Sequence, residues 1–253
     1  MLDYDEEAGL YDASRGGEPR AAAAAEAVLD LLPDGTRRLL DVACGTGIVT
    51  RRLAAGREGL RVTGVDLAAA MVRQAAVRLP GAVVRADSRR LPFRDGEFDA
   101  VSSVWLLHLA VSDTDARAIV AECTRVLRPG GVYLTTVDKS AAHNVGSDID
   151  AVLASRPPRE ARDAAGLVDS YAAGRGLVPA GHGRFPGRGQ GRSPRRTIAD
   201  LRRGWFVTLP PGEPIAERFA ARLAALPDQD RPRPDPWFTL RAYRKPGAAS
   251  EDV

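Results

Sequence analysis

Between residues 37 and 138 the chain alternates short apolar runs with helix-length segments, and no other feature limits its fold as tightly. The runs are RRLLDVA, RVTGVD, AVVRAD, the beginning of FDAVSSVWLLHL, and VYLTTVD. Between them lie GIVTRRLAAG, AAAMVRQAAVRL and SDTDARAIVAECTRVL, each with a helical composition. Ser112 and Asp115 form a capping-box pattern at the start of the last, and Pro129-Gly130-Gly131 closes it. Strands joined by crossovers of roughly 10 to 15 residues run parallel, with helices covering both faces. The fold class is therefore α/β. Upstream, GEPRAAAAAEAVLDLLPDG has an alanine-rich helical composition that stops at Pro33 and Gly35.

After about residue 140 the rhythm changes. The stretch SDIDAVLASRPPREARDAAGLVDSYAAGRGL reads as helix with a proline break, and HGRFPGRGQGRSPRR as an irregular strand and loop. RTIADLRRGWF and PIAERFAARLAAL read as helices. WFTLRAYRK, after the stiff DRPRPDP, alternates like a strand and is expected to return to the sheet.

Composition narrows the function classes. No stretch approaches the roughly 18 apolar residues of a membrane span, and the acidic opening MLDYDEEAGLYDASRGG does not read as a secretory signal. Cys44 and Cys123 are too few for a disulfide framework or a zinc cluster, so we expect a reduced, cytoplasmic protein without a metal. The net charge of +3 rests on arginine, with Lys139 and Lys245 the only lysines. Such a bias reads as coding composition and is weak evidence for nucleic acid.

Asp41 closes the first strand, and Gly45 and Gly47 follow in a turn that enters a helix. In an open parallel sheet, ligands bind beyond the carboxyl ends of the strands. Glycines there let the backbone approach a ligand closely, and the free N–H groups of the helix face the same crevice. Asp66, which ends the second strand, is placed to accept both hydroxyls of a ribose. The bland alternative is a tight turn with a solvated acid. Counted from Gly45 and Gly47, the third position of a dinucleotide fingerprint is Thr50, not glycine. No phosphate-binding G-x-x-x-x-G-K-[ST] loop is present.

These blocks resemble the class I S-adenosylmethionine-dependent methyltransferases over roughly residues 36 to 138. LLDVACGTG is similar to the family's glycine-rich motif, VTGVDLAAAMVRQA to the second block, RADSRRLPFRDGEFDAVSS to the third and fourth, and RVLRPGGVYLTT to the approach to the fifth strand. The resemblance implies a Rossmann-like, doubly wound, mostly parallel seven-stranded sheet with its last strand antiparallel. It implies S-adenosyl-L-methionine as cofactor and S-adenosyl-L-homocysteine as product. On it, Asp41, Ala43, Gly45, Thr46 and Gly47 hold the methionine portion, Asp66 the ribose, and Leu67 and Met71 pack beside the adenine. Asp87 accepts from the adenine amine with Ser88 at the ring edge, Ser103 lines the methyl, and Tyr11 and Arg15 belong to an N-terminal lid. Ala43 departs from the glycine that the family often carries. One domain spanning 1–253 is expected, with 1–35 as lid and helix, 36–138 as cofactor-binding core, 139–235 as acceptor-side region and 236–246 as final strand.

Methyl transfer from a sulfonium needs alignment and exclusion of water more than any fixed catalytic group. Where the acceptor needs a base, His108 is the candidate, with local packing as its alternative; His143 and His182 have weaker claims. Trp105, His143, Trp205 and Phe206 are candidates for an aromatic-lined acceptor site, against simple core packing for the last two. SSVWLL stands where base-amine methylases carry an acid or amide before Pro-Pro-aromatic. The expected partner is therefore a small-molecule acceptor, a specialised natural product, with neither membrane nor nucleic acid, and with a homodimer left open. RNA or protein methylation, a non-catalytic cofactor-binding subunit and an NAD-dependent oxidoreductase are the alternatives.

Overall fold

The computed structural model describes residues 4–206 and 208–247, without the side chain of Glu7. The expected 1–253 unit extends beyond these bounds at both ends. The strands are β1 (Arg38–Val42), β2 (Arg61–Asp66), β3 (Val83–Arg85), β4 (Phe98–Ser103), β5 (Leu127–Val137), β6 (Val178–Pro186) and β7 (Trp237–Arg244). They form one sheet in the order β3-β2-β1-β4-β5-β7-β6. The first five run parallel, and β7 inserts antiparallel between β5 and β6. Strand order reverses between β1 and β4, which opens a crevice at their carboxyl ends.

The period-two alternation of β1 explains the two-layer packing. Leu40 and Val42 join Val101 and Tyr133 against α5 (Asp113–Val126) and α8 (Ala165–Ala173). Leu39 faces the other way, with Val62, Ala100 and Leu134, against α2 (Gly17–Asp30) and α3 (Ile48–Gly56). Leu39 and Leu40 are both fully buried, and each contributes roughly 1.5–3 kcal/mol of burial. A one-residue slip of β1 would exchange the two faces.

The start of β5 differs from the sequence expectation. Helix α5 ends at Val126, and the strand begins at Leu127, running through Pro129-Gly130-Gly131 rather than after it. The register against β4 shifts between Phe98 and Ala100 to absorb the extra residues. Gly131 fits because a Cβ there would stand 2.7 Å from the Asp99 carbonyl.

The acceptor-side segment carries α6 (Lys139–Ala142), α7 (Asp148–Leu153), α9 (Pro194–Arg202) and α10 (Pro214–Ala224). Ile149, Leu153, Leu201, Phe219 and Leu223 give it a small core of its own. The glycine- and arginine-rich stretch holds the end of β6 and a structural loop that leads into α9. Asp235 accepts from the Gly189 and Gly191 N–H groups, and a Cβ on Gly191 would stand 2.1 Å from the Arg233 carbonyl. Among the described residues no helix is long and apolar enough to cross a membrane, and no cluster of metal-ligating side chains occurs.

Candidate active site

The turn after β1 is built on left-handed backbone: Ala43 has φ 61°, Gly45 56° and Gly47 76°. Holding a non-glycine residue there costs about 1–2 kcal/mol, a strain characteristic of functional turns. The two glycines do different work. A Cβ on Gly47 would meet Ala75 of α4 (Ala69–Arg78) at 3.0 Å, whereas a Cβ on Gly45 would meet nothing within 4 Å. Gly47 therefore lets α3 and α4 approach, and Gly45 leaves open space above the turn.

Asp66 ties the turn to the next strand. One carboxylate oxygen accepts from the Gly45 N–H and the other from the Ala68 N–H, both at 2.9 Å. Burial raises its pKa against the pull of these backbone donors. A carboxylate has about four acceptor sites, so capacity remains for further donors.

Asp41 lies beneath the turn and does not face the crevice as expected. It is 3% exposed, accepting from Thr50 Oγ1 at 2.6 Å and from its register neighbour Ser102 at 2.8 Å. Burial pushes its carboxyl up to about 6. Thr50, where a dinucleotide fingerprint has glycine, is thus the hydroxyl that holds this buried acid.

Helix α1 (Tyr4–Ser14) roofs the crevice, an element that the sequence reading treated only as a lid segment. Asp5 accepts from the Ala70 N–H at 2.6 Å and so caps α4, whose own N-cap residue, Ala68, supplies no side-chain bond. Asp12 accepts from Thr46 Oγ1 at 2.6 Å and pairs with Arg78 at 2.7 Å. Met71, expected beside an adenine, is 2% exposed and packs under Tyr4, Ala8 and Tyr11. Leu67 is 59% exposed at the rim.

Asp87 and Ser103 already have partners within the chain. Asp87 is gripped by Arg89, which also reaches Asp115, and this pairing holds its carboxyl below the usual range. Asp87 stays partly exposed, with half-buried Ser88 next to it, and its carboxylate keeps acceptor sites beyond the Arg89 pair. Ser103 belongs to β4 itself and is fully buried, bonded to Tyr133 at 2.7 Å and Thr135 at 2.9 Å, so it does not line the crevice.

The carboxyl ends of β4 and β5 meet a cationic group of side chains. Trp105, with φ 59°, packs edge-on against Phe185 and Phe238, and the Arg20 guanidinium lies 3.6 Å from its ring centroid. Arg15 lies 3.7 Å over Trp205 and 5.8 Å over Tyr11, and Arg192 5.6 Å over Phe206. His143 meets Phe238 edge-on at 5.6 Å. His108 Nε2 stands 2.9 Å from Lys139 Nζ. Burial, with Lys139 and arginines nearby, holds both imidazoles well below their ordinary pKa. Burial and the facing Arg15 and Arg20 bring the Lys139 ammonium down to about 7.

Several donors here are buried without a partner among the described residues: Arg15 Nε, Arg20 Nε, Trp105 Nε1, Trp205 Nε1 and His108 Nδ1. Each unmet donor costs about 1–3 kcal/mol. The structure thus brings His108, Trp105, His143, Trp205 and Arg15 into one region, and leaves His182 exposed on β6. It adds Arg20, Lys139 and Arg192, which the sequence reading missed. Arg20 immediately precedes the run Ala21–Ala25, and Lys139 is one of two lysines in an arginine-rich chain. Both were signals in plain view.

Residues 40–135 match the model of a methyltransferase domain. An uncharacterized chloroplastic methyltransferase of Arabidopsis thaliana is 39% identical over 39% of this chain and 30% of its own length. A ubiquinone biosynthesis O-methyltransferase of Xanthomonas oryzae pv. oryzae is 35% identical over 42% of this chain and 45% of its own. The chain thus spans less than half the length of these curated relatives. Among solved structures, the cyclase SpnF aligns with a TM-score of 0.62 at 22% identity, over 97% of this chain and 94% of its own. Geranyl diphosphate C-methyltransferase from Streptomyces coelicolor A3(2) aligns with a TM-score of 0.52 at 19% identity, over 88% and 76%. At such identity the structures speak for the fold alone, and a fold hosts several activities.

Proposed function

We propose, from the match of residues 40–135 to a methyltransferase-domain model, that the chain is an S-adenosylmethionine-dependent methyltransferase acting on a small-molecule acceptor. The observation that carries this reading is the joint of Asp66 and Gly45: an acid with spare acceptor capacity, beside a turn with open space above it. That joint suits a ribose next to a methionine chain. The relative named for ubiquinone biosynthesis O-methylation supports a small acceptor. The proposal extends to a cytoplasmic enzyme of specialised natural-product biosynthesis. Its two cysteines, both free and buried, agree with a reducing compartment.

Bound S-adenosylmethionine supplies an electrophilic methyl group on a sulfonium. Asp66 would hold the ribose, and the backbone at Ala43 and Gly45 the methionine chain. Arg20, 8% exposed with an unmet Nε, would take the methionine carboxylate. Asp41 keeps the turn in shape through Thr50 and Ser102. Helix α1, through Asp5 and Asp12, excludes water from the crevice. Trp105, Trp205 and His143 would flank the acceptor, and the His108–Lys139 pair holds a proton that either nitrogen can carry. Exclusion of water and alignment together supply the acceleration.

The test is incubation of the full chain with methyl-labelled S-adenosylmethionine and a small-molecule extract. Label in a small-molecule fraction, with S-adenosylhomocysteine released, is the expected result. Label only in added RNA or protein, or no turnover with any acceptor, contradicts the proposal.

A further inference from the structure

The cations at the carboxyl ends of β4 and β5 outnumber the anions that meet them. Among the described residues no carboxylate lies within ion-pair distance of Arg15, Arg20 or Lys139, and Arg192 reaches only Asp150, at 3.9 Å. The neighbouring acids have other duties. Asp150 Oδ2 caps α7 by accepting from Val145, Ser147 N and Ser147 Oγ. Asp163 Oδ2 accepts the Lys139 backbone N–H; its Oδ1 is buried without a donor, and this one acid, raised by burial, is the only carboxylate among the described residues that offsets Lys139. Asp12 is held by Thr46 and Arg78. Asp200, pushed up by burial, feels Arg15 and Arg192 but makes no ion pair with them. The positive groups therefore face one another, and burial plus this mutual repulsion lowers Lys139, Arg20 and Arg192 alike.

The cofactor of the proposed reaction does not resolve this imbalance, and here the inference rests on that reading. S-adenosylmethionine brings one carboxylate, but also an ammonium and a sulfonium, so it adds net positive charge. If Arg20 takes the carboxylate, then Arg15 and Lys139 keep unmet charge, and the Arg15, Trp205 and His108 Nδ1 donors stay unsatisfied. Buried charges of one sign persist where a ligand of the opposite sign completes them. The aromatic rings beside these cations would cover the body of the same ligand.

We propose that the methyl acceptor carries an oxyanion, a carboxylate or a phosphate, received by Lys139, Arg15 and Arg192, with its apolar body against Trp205 and Phe206. Lys139 opens α6 directly after β5, at the edge of the crevice and beside His108. The oxyanion thus docks within reach of the group best placed to take a proton.

The full chain, saturated with S-adenosylhomocysteine at constant ionic strength, is titrated with benzoate, phenyl phosphate and the neutral benzamide, read by ligand-observed NMR. At least one anion is expected to bind about tenfold more tightly than benzamide; which of the two does so distinguishes carboxylate from phosphate. Lys139→Gln and Arg192→Gln should each erase most of that preference and leave S-adenosylhomocysteine affinity within about twofold. Lys139→Arg should retain it. Benzamide binding as well as both anions overturns the inference, and so does a preference unchanged in both glutamine variants. Binding of S-adenosylhomocysteine without anion preference overturns this inference alone, whereas its failure to bind overturns the proposed function.

Discussion

Lys139 Nζ lies 2.9 Å from His108 Nε2, joining the single 3-10 turn after β4 to the first residue of α6. Lys139 Nζ has no carboxylate within ion-pair distance among the described residues. The pair is therefore a proton-sharing site under positive strain, and its energetics depend on pH.

The sign follows from linkage. The Lys139 ammonium titrates at about 7 in the folded chain against an ordinary 10.5. Between those values the unfolded chain holds a proton that the folded chain has released, so stability rises with pH across that window. Below pH 7 both forms are protonated and the penalty is constant. Lys139→Met should be more stable than the parent below pH 7, and the gap should shrink by at most about 1.4 kcal/mol per pH unit up to about 10.5. Thermal melts of both proteins from pH 6 to 10 check this; a gap independent of pH contradicts it.

The two glycines of the turn should separate stability from binding. Gly47→Ala forces a Cβ to 3.0 Å from Ala75 at a φ of 76°, and should cost about 1–3 kcal/mol of stability through overpacking. Gly45→Ala meets open space at a φ of 56°, and should cost only about 1 kcal/mol while weakening cofactor binding. Melting temperature and S-adenosylhomocysteine affinity, measured on both variants, distinguish the two roles. Equal loss of affinity with equal loss of stability would refute the division.

Asp41 should behave as a buried acid whose ionisation opposes folding. Its folded value of about 6 lies above the ordinary 3.8, so stability falls as pH rises from about 4 to about 6 and then levels. Asp41→Asn imitates the protonated form. It should match the parent near pH 4 and exceed it above pH 6, as chemical denaturation would show. A constant difference across that range would mean that Asp41 does not titrate there.

Much of the architecture is legible in residues 37 to 138 because each strand and crossover signals itself locally. The start of β5 is not, since Pro129-Gly130-Gly131 reads as a helix stop, while its inclusion in the strand depends on a register shift against β4. At the site, the spacing locates the glycine turn after β1 and the carboxylate of Asp66 at the end of β2. Asp41 and Ser103 carry the expected residue types, but partners from distant elements take their polar atoms: Ser102 for Asp41 and Tyr133 for Ser103. Asp87 is held by its near neighbour Arg89, which a distant Asp115 fixes in place. Sequence does not reveal such pairings. Lys139 was visible as a rare residue and read as compositional bias, although a lysine kept among arginines marks a different chemistry.

In the proposed function, the crevice at the ends of β1 and β2 holds S-adenosylmethionine through Asp66. Titration calorimetry of the full chain with S-adenosylhomocysteine, before and after Asp66→Ala, tests it most directly. One site per chain is expected in the parent, and at least about a tenfold loss of affinity in the variant, with the folded state retained in a parallel melt. Unchanged affinity in a folded Asp66→Ala protein, or binding of NADH in place of S-adenosylhomocysteine, would contradict it.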